Sequence, residues 1–323
     1  MKTRYSPPDQ GIWQGRPSEQ REYIHENIKL LDLEGDRIPE PPKRVPAIIG
    51  YACDEGVRRN QGRPGARSGP AAFRKALGKM PLHDKAAGSL CDAGDIHCED
   101  EDLEATQQAF AASVKLLVKK GYMPLGIGGG HDIAYAHYLG LWKALGGGKR
   151  LGILNFDAHF DLRQPTGGAH SGSPFLQIAQ LCEESGSSFD YGCIGIRKDA
   201  NPKELWDRAV SLNVWVLERE LMQPHHTKKS LEGLAAFLDP LDAVYLTLDL
   251  DGFSSSYAPG VSAASPMGYS PEAVFPYLEM VLNTGKLIGL DIAELSPPLD
   301  RDGQTSVLAA ALVHKVLHHP GLF

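Results

Sequence analysis

Leu151-Gly152-Ile153-Leu154-Asn155-Phe156-Asp157-Ala158-His159-Phe160-Asp161 is an apolar run that ends in three strong metal ligands within five residues. Side chains alternate faces along a strand with a period of two, so a chain leaving the sheet here turns Asp157, His159 and Asp161 to one side. Carboxylates removed from water are costly unless a positive charge neutralises them. A divalent cation is the simplest source of that charge.

Two further stretches read as the other walls of the same site. Val244-Tyr245-Leu246-Thr247-Leu248-Asp249-Leu250-Asp251 is a buried-strand pattern that again ends in two carboxylates on one face. Met123-Pro124-Leu125-Gly126-Ile127-Gly128-Gly129-Gly130-His131-Asp132 is an apolar strand that runs through glycines, which permit close backbone packing, and then presents an imidazole. In parallel α/β sheets, ligands bind beyond the carboxyl ends of the strands, where all three clusters lie.

His131, Asp157, His159, Asp161, Asp249 and Asp251 together supply four carboxylates and two imidazoles, a charge that matches two divalent ions. A carboxylate-rich set with no cysteine suits manganese or a similar hard ion better than a thiolate-bound zinc. Two such ions roughly 3.5–4 Å apart can share a bridging water and lower its pKa toward neutrality, giving a hydroxide nucleophile. Taken singly, an aspartate after a strand is a turn or cap residue and a histidine is a structural donor. Six compatible ligands at three separate strand ends outweigh that reading and point to metal-assisted hydrolysis.

The composition sets outer bounds. With 33 basic against 40 acidic residues and a net charge of −7, nucleic acid and anionic membranes are excluded as main partners. No apolar run reaches the length of about 20 residues needed to span a bilayer, and the N-terminus carries no apolar signal core. Five cysteines (Cys53, Cys91, Cys98, Cys182 and Cys193) are odd in number and contain no C-x-x-C, so they form neither a disulfide framework nor a zinc knuckle. These features together predict a cytoplasmic protein with a small-molecule substrate.

Residues 1–44 are polar with Pro-rich borders and read as an irregular N-terminal arm; residues 45–323 read as one catalytic domain. Strands are expected over 45–51, near 89–91, over 123–128, 151–156, 191–196, 213–217, 244–249 and 286–292. Helices are expected over 102–120, 135–145, 174–184, from 202, over 231–238, 271–282 and 305–317. The stretch from Asp54 to Gly69, rich in glycine and arginine, reads as a long loop at a ligand entrance. This alternation predicts an α/β fold: a single-domain, three-layer αβα sandwich with a mostly parallel sheet of about eight strands. A dinucleotide loop is excluded because the third glycine of G-x-G-x-x-G would fall on His131, and Gly172-Ser173 lacks the serine-hydrolase elbow. His314 and His318 are read as a solvated helix face, and His225-His226 as loop.

His131 after its glycine run, Asp157-Ala158-His159-Phe160-Asp161, Asp249-Leu250-Asp251 and Glu294 within Asp291-Ile292-Ala293-Glu294 resemble the arginase/agmatinase (ureohydrolase) family. Cys53 to Arg63 and Asn155 to Arg163 look like its formimidoylglutamase branch, whose members hydrolyse N-formimidoyl-L-glutamate to L-glutamate and formamide in histidine degradation. The resemblance implies two Mn2+ per subunit, with Asp157 and Asp249 bridging, His131 and Asp161 completing one shell, and His159 and Asp251 the other. It further implies that Asp161 shuttles the proton of the attacking water to the leaving amine and that Glu294 holds the substrate amidinium. The dicarboxylate substrate calls for cations, with Arg163 first and Arg63, Arg197 and Lys198 after it. His170 precedes Ser171, which stands where other branches carry histidine, and is counted as a further substrate contact. An agmatinase-like or guanidino-acid hydrolase is the alternative, and a non-catalytic metal-stabilised binding protein a more distant one. The family resemblance also implies a homo-oligomer.

Overall fold

Apolar residues that alternate along the strands assemble one sheet with helices on both faces, in a computed structural model that describes residues 4–83, 90–320 and 322. The N-terminal part contributes β1 (Tyr5–Ser6), β2 (Lys29–Leu30), β3 (Val45–Ala52), α1 (Glu55–Arg59), α2 (Gly69–Leu77), β4 (Cys91–His97), α3 (Leu103–Lys119) and β5 (Tyr122–Gly128). There follow α4 (Ile133–Leu145), β6 (Leu151–Phe156), α5 (Pro174–Ser185), β7 (Asp190–Ile196), α6 (Lys203–Ser211) and β8 (Trp215–Glu218). The chain closes with α7 (Thr227–Leu238), β9 (Ala243–Asp249), α8 (Pro271–Asn283), β10 (Leu287–Ala293) and α9 (Gln304–Leu317).

The sheet has ten strands in the order β1-β4-β3-β5-β10-β9-β6-β7-β8, with β2 also on β4. Every pairing is parallel except β1 with β4. The period-two alternation divides the core. Ile48, Leu154, Phe156, Leu246 and Leu248 pack under α2, α7, α8 and α9, while Ile49, Ile153 and Tyr245 pack under α3, α4, α5 and α6. The three-layer αβα expectation is met, and the two strands beyond the expected eight are the two-residue edge pieces β1 and β2.

For function, the decisive feature is the order β5-β10-β9-β6 at the centre. The last two strands to be made insert between β5 and β6, so the ends of four strands that are remote in sequence meet. Ala293 pairs with Asp249, and Phe156 with Leu248, which levels the strand ends that carry the site.

Three local expectations need correction. The 54–69 segment is not one loop: it holds α1 and a 3-10 turn over Ala66–Ser68. Glu55 stabilises α1 by accepting from Arg58 and Arg59 one turn on. The strand expected near 89–91 is β4, which runs on to His97; Ser89 lies outside the described residues, as do residues 1–3 of the arm. Sequence periodicity stops at Cys91 because Asp92 and Asp95 look like loop, yet Asp92 is fully buried. Buried Arg74 from α2 donates to both Asp92 oxygens at 2.8 and 2.9 Å and to Asp95 at 2.6 Å, and the Trp13 indole adds a bond to Asp92 at 2.8 Å. Elsewhere helix and strand bounds shift by a few residues; the strand expected at 213–217 is β8, and the helix expected at 231 begins at Thr227.

Candidate metal centre and active site

The backbone at the end of β6 leaves the sheet so that Asp157, His159 and Asp161 enter one cleft, as their spacing requires. Asp157 is fully buried and divides its oxygens: Oδ2 lies 3.2 Å from His131 Nδ1, and Oδ1 lies 3.3 Å from His159 Nδ1. Two ligand groups share it. His131, Asp157, Asp161 and Asp249 form the first, and Asp157, His159 and Asp251 the second, with ligand atoms in each group within 4.8 Å of one another. His131 Nδ1 is 2.9 Å from both Asp161 Oδ2 and Asp249 Oδ2, and His159 Nδ1 is 3.3 Å from Asp251 Oδ1. Asp249 Oδ2 faces the first group, and its Oδ1 accepts the Asp251 N–H at 2.8 Å.

The donor chemistry fits cations. His131 Nε2 meets the Thr247 hydroxyl at 3.0 Å, so an imidazole that donates from Nε2 turns the lone pair of Nδ1 toward three carboxylates. Among the described residues, buried Nδ1 of His131 and Oδ1 of Asp251 make no contact of hydrogen-bond geometry, although charged groups crowd both. Burial followed by neighbouring carboxylates pushes Asp249, Asp251 and Glu294 upward, the last two well above the usual carboxylate range. Burial would lower the two imidazoles, but Asp249, Asp157 and Asp161 outweigh it at His131, and Asp251 and Asp157 at His159, and hold both well above the usual histidine value. Such mutual repulsion is what a pair of divalent ions relieves.

Glu294 follows β10 and sits over this pair of groups. Its Oε1 accepts the His131 N–H at 3.0 Å, and its own N–H donates to the Gly129 carbonyl at 2.9 Å. Any side chain on Gly129 would overlap the Cys53 carbonyl oxygen, which is why the strand end before His131 is glycine. Asp161 and Glu294 both adopt left-handed backbone conformations, with φ of 46° and 64°. For non-glycine residues this costs about 1 kcal/mol or more each, and such strain gathers where function dictates where a side chain must point.

A cleft of about 450 Å3 opens from His131, His159, Asp161 and Glu294 toward Asn60, Arg63 and Arg163. Among the described residues, the Arg163 guanidinium has no carboxylate partner, and its stem lies against Gly172, where a side chain would crowd it. Arg63 lines the cleft too, but its Nε and Nη2 hold the carbonyls of Ser262 and Val261 at 2.9 Å. The other three expected contacts lie elsewhere. Arg197 turns away into a pair with Asp199 at 2.6 Å, and exposed Lys198 reaches Glu218 at 2.9 Å. His170 lines a neighbouring depression, where its ring meets the Gln164 carbonyl and accepts the Gly172 N–H. In each case a nearer partner takes up the polar group.

Sequence reasoning overlooked three supporting residues. Thr247 orients His131, Asn155 donates to Asp157 Oδ2 at 3.1 Å, and Asn201 accepts the Phe160 N–H while donating to the Ala158 carbonyl. Thr247 and Asn155 each lie two residues before a ligand on the same strand face, so the same alternation would have found them. Asn201 carries no such signal.

A family model described as the arginase family matches residues 45–319. The chain belongs to the arginase family. A similar relative in this family is the formimidoylglutamase of Aeromonas hydrophila, 39% identical over 318 residues that cover 97% of this chain and 99% of that one. Of solved structures, the formimidoylglutamase of Bacillus subtilis has a TM-score of 0.80 at 22% identity, covering 94% of this chain and 93% of that chain, which bears on the fold. A Trypanosoma cruzi formiminoglutamase solved with Mn2+2 has a TM-score of 0.75 at 26% identity, covering 91% of this chain and 97% of the other.

Proposed function

We propose that this protein is a binuclear manganese amidine hydrolase that converts N-formimidoyl-L-glutamate and water to L-glutamate and formamide, a step of histidine degradation. The observation that carries the reading is a six-ligand cleft, opening onto an unpaired arginine, in a chain that aligns end to end with formimidoylglutamases. His131 and Asp161 would hold one Mn2+, His159 and Asp251 the other, and Asp157 and Asp249 both. Bound there, the two ions supply activation of water near neutral pH and neutralise the carboxylates.

The remaining work falls to side chains. Glu294 pairs with the amidinium and places the formimidoyl carbon for attack. Asp161 takes a proton from the attacking water and returns it to the glutamate nitrogen as the C–N bond breaks, so the amine leaves neutral and formamide remains. Its position beside His131 suits both transfers. Arg163 pairs with a carboxylate of the glutamate end, and Arg63, already anchored, shapes the wall beside it. Residues 45–323 form the proposed catalytic unit, with residues 1–44 its arm. Assembly as a homo-oligomer in the cytoplasm completes the reading, and light scattering of the purified protein tests the assembly.

The test is to incubate manganese-loaded protein with formimidoylglutamate, agmatine, arginine and guanidinobutyrate and to follow formamide and urea. Formamide from formimidoylglutamate at the highest kcat/KM is the expected result, with Arg163→Ala raising KM about tenfold, the scale of 1.4 kcal/mol. Faster urea release from agmatine or guanidinobutyrate, with Arg163→Ala silent, would transfer the assignment to those substrates.

A further inference from the structure

At the carboxyl ends of β3 and β4, two cysteines follow directly on the strands. Ala52 and His97 are register partners, and the Cys98 N–H donates to the Ala52 carbonyl at 3.3 Å, so Cys98 stands beside the residue that precedes Cys53. The two thiols lie near enough for each to influence the other's ionisation. Their surroundings differ sharply. Cys53 is fully buried, whereas Cys98 is half-buried and lines a surface pocket of about 360 Å3. Neither Cys53 nor Cys98 is in a disulfide.

We propose that Cys98 is a reactive thiol with Cys53 as its resolving partner, and that the pair exchanges with small disulfides carrying no negative charge. The Cys53 thiol, against burial and with help from the Thr106 hydroxyl and Arg4, brings Cys98 down to about 7. Hydrogen bonding to Cys98, together with burial, pushes Cys53 far up, which makes it the donor of the pair and the later nucleophile. The exchange runs in two steps. Cys98 thiolate attacks the small disulfide RSSR, forming Cys98–S–SR and releasing RS−. Cys53 then attacks the Cys98 sulfur and its proton departs with the second leaving group as RSH, so two electrons pass from the cysteine pair to RSSR.

Charge selects the reagent. Glu55, Glu99, Asp100 and Glu101 outnumber Arg58 and Arg67 around the pocket, which repels an anionic disulfide and attracts a cationic one. Cystamine is therefore expected to react faster than neutral hydroxyethyl disulfide, and glutathione disulfide slowest.

The experiment treats the full chain with each reagent at pH 7 and maps adducts by peptide mass spectrometry. Wild type is expected to yield a Cys53–Cys98 disulfide, Cys53→Ser or Cys53→Ala a stable mixed disulfide at Cys98, and Cys98→Ser neither. In wild type, Cys98 should react about threefold or more faster in the folded than in the urea-unfolded chain, the net of more thiolate and lower intrinsic nucleophilicity, and Cys53→Ala should lose most of that advantage. High salt should compress the reagent order in the folded protein. First reaction at Cys91, Cys182 or Cys193, no Cys53–Cys98 crosslink in wild type, or an order led by glutathione disulfide would overturn the proposal.

Discussion

Two buried ionic clusters sit in the same sheet, and they are built on opposite terms. At β4, Arg74 fits between Asp92 and Asp95, Trp13 adds a donor, and Gly94 supplies both a backbone N–H to Asp92 and a carbonyl to Arg74. The protein provides its own cation there. At the ends of β5, β6, β9 and β10, four carboxylates crowd two imidazoles, and among the described residues His131 Nδ1 and Asp251 Oδ1 make no contact of hydrogen-bond geometry. The first cluster is complete with protein atoms alone; the second is complementary to cations the chain itself does not carry. Burial is common to both, so burial alone does not mark a functional site. The mark is an excess of one charge with its lone pairs converging.

The sharpest break of this contrast is Asp157→Ala, which removes the carboxylate shared by both ligand groups. Manganese per chain should fall from two to below one by elemental analysis. Formimidoylglutamate turnover should drop by on the order of 10^4-fold or more, as when a cooperating catalytic unit is lost.

Arg74→Met strikes the self-sufficient cluster and should do the opposite. Stability falls by about 3–5 kcal/mol in urea titration because Asp92 is left buried and uncompensated. Added manganese should not recover the lost stability, since none of these groups faces the metal ligands.

Asp251→Asn tests the sign. In chelator the variant should be as stable as wild type or more so, by about 1–3 kcal/mol, because a repelled buried charge is gone. With saturating manganese wild type should gain more, since an ion at 100 times its Kd stabilises by about 2.7 kcal/mol per site. Thermal melts in both conditions read this out, and an identical offset in the two would refute it. Thr247→Val should have the smallest effect: a manganese affinity about 10–100-fold weaker in competition with a chelator, with the fold intact.

Much of this was legible in the chain because the relevant information is local. Asp157, His159 and Asp161 share a face by strand alternation, and Gly129 before His131 signals a close approach that the Cys53 carbonyl accounts for. The β4 strand was misjudged past Cys91 because its polar residues make sense only beside Arg74, 18 positions earlier. Arg197 and Lys198 ranked behind Arg163 as substrate contacts, and nothing in the order of residues tells that Asp199 and Glu218 neutralise them. Asn201 holds the backbone of the Asp157 loop from 41–43 residues away.

By itself the sequence determined the kinds of ligand, their grouping at strand ends and the alternation of helix and strand, all properties that covalent spacing and strand or helix periodicity impose within a few residues. Only the tertiary structure decided that β10 and β9 lie between β5 and β6, that Glu294 reaches the N–H of His131 across 163 residues, and which cations stay unpaired at the cleft. Those outcomes depend on which surfaces crossover connections bring together, and electrostatic and hydrogen-bonding choices are made only once the competing partners stand within a few ångströms of one another.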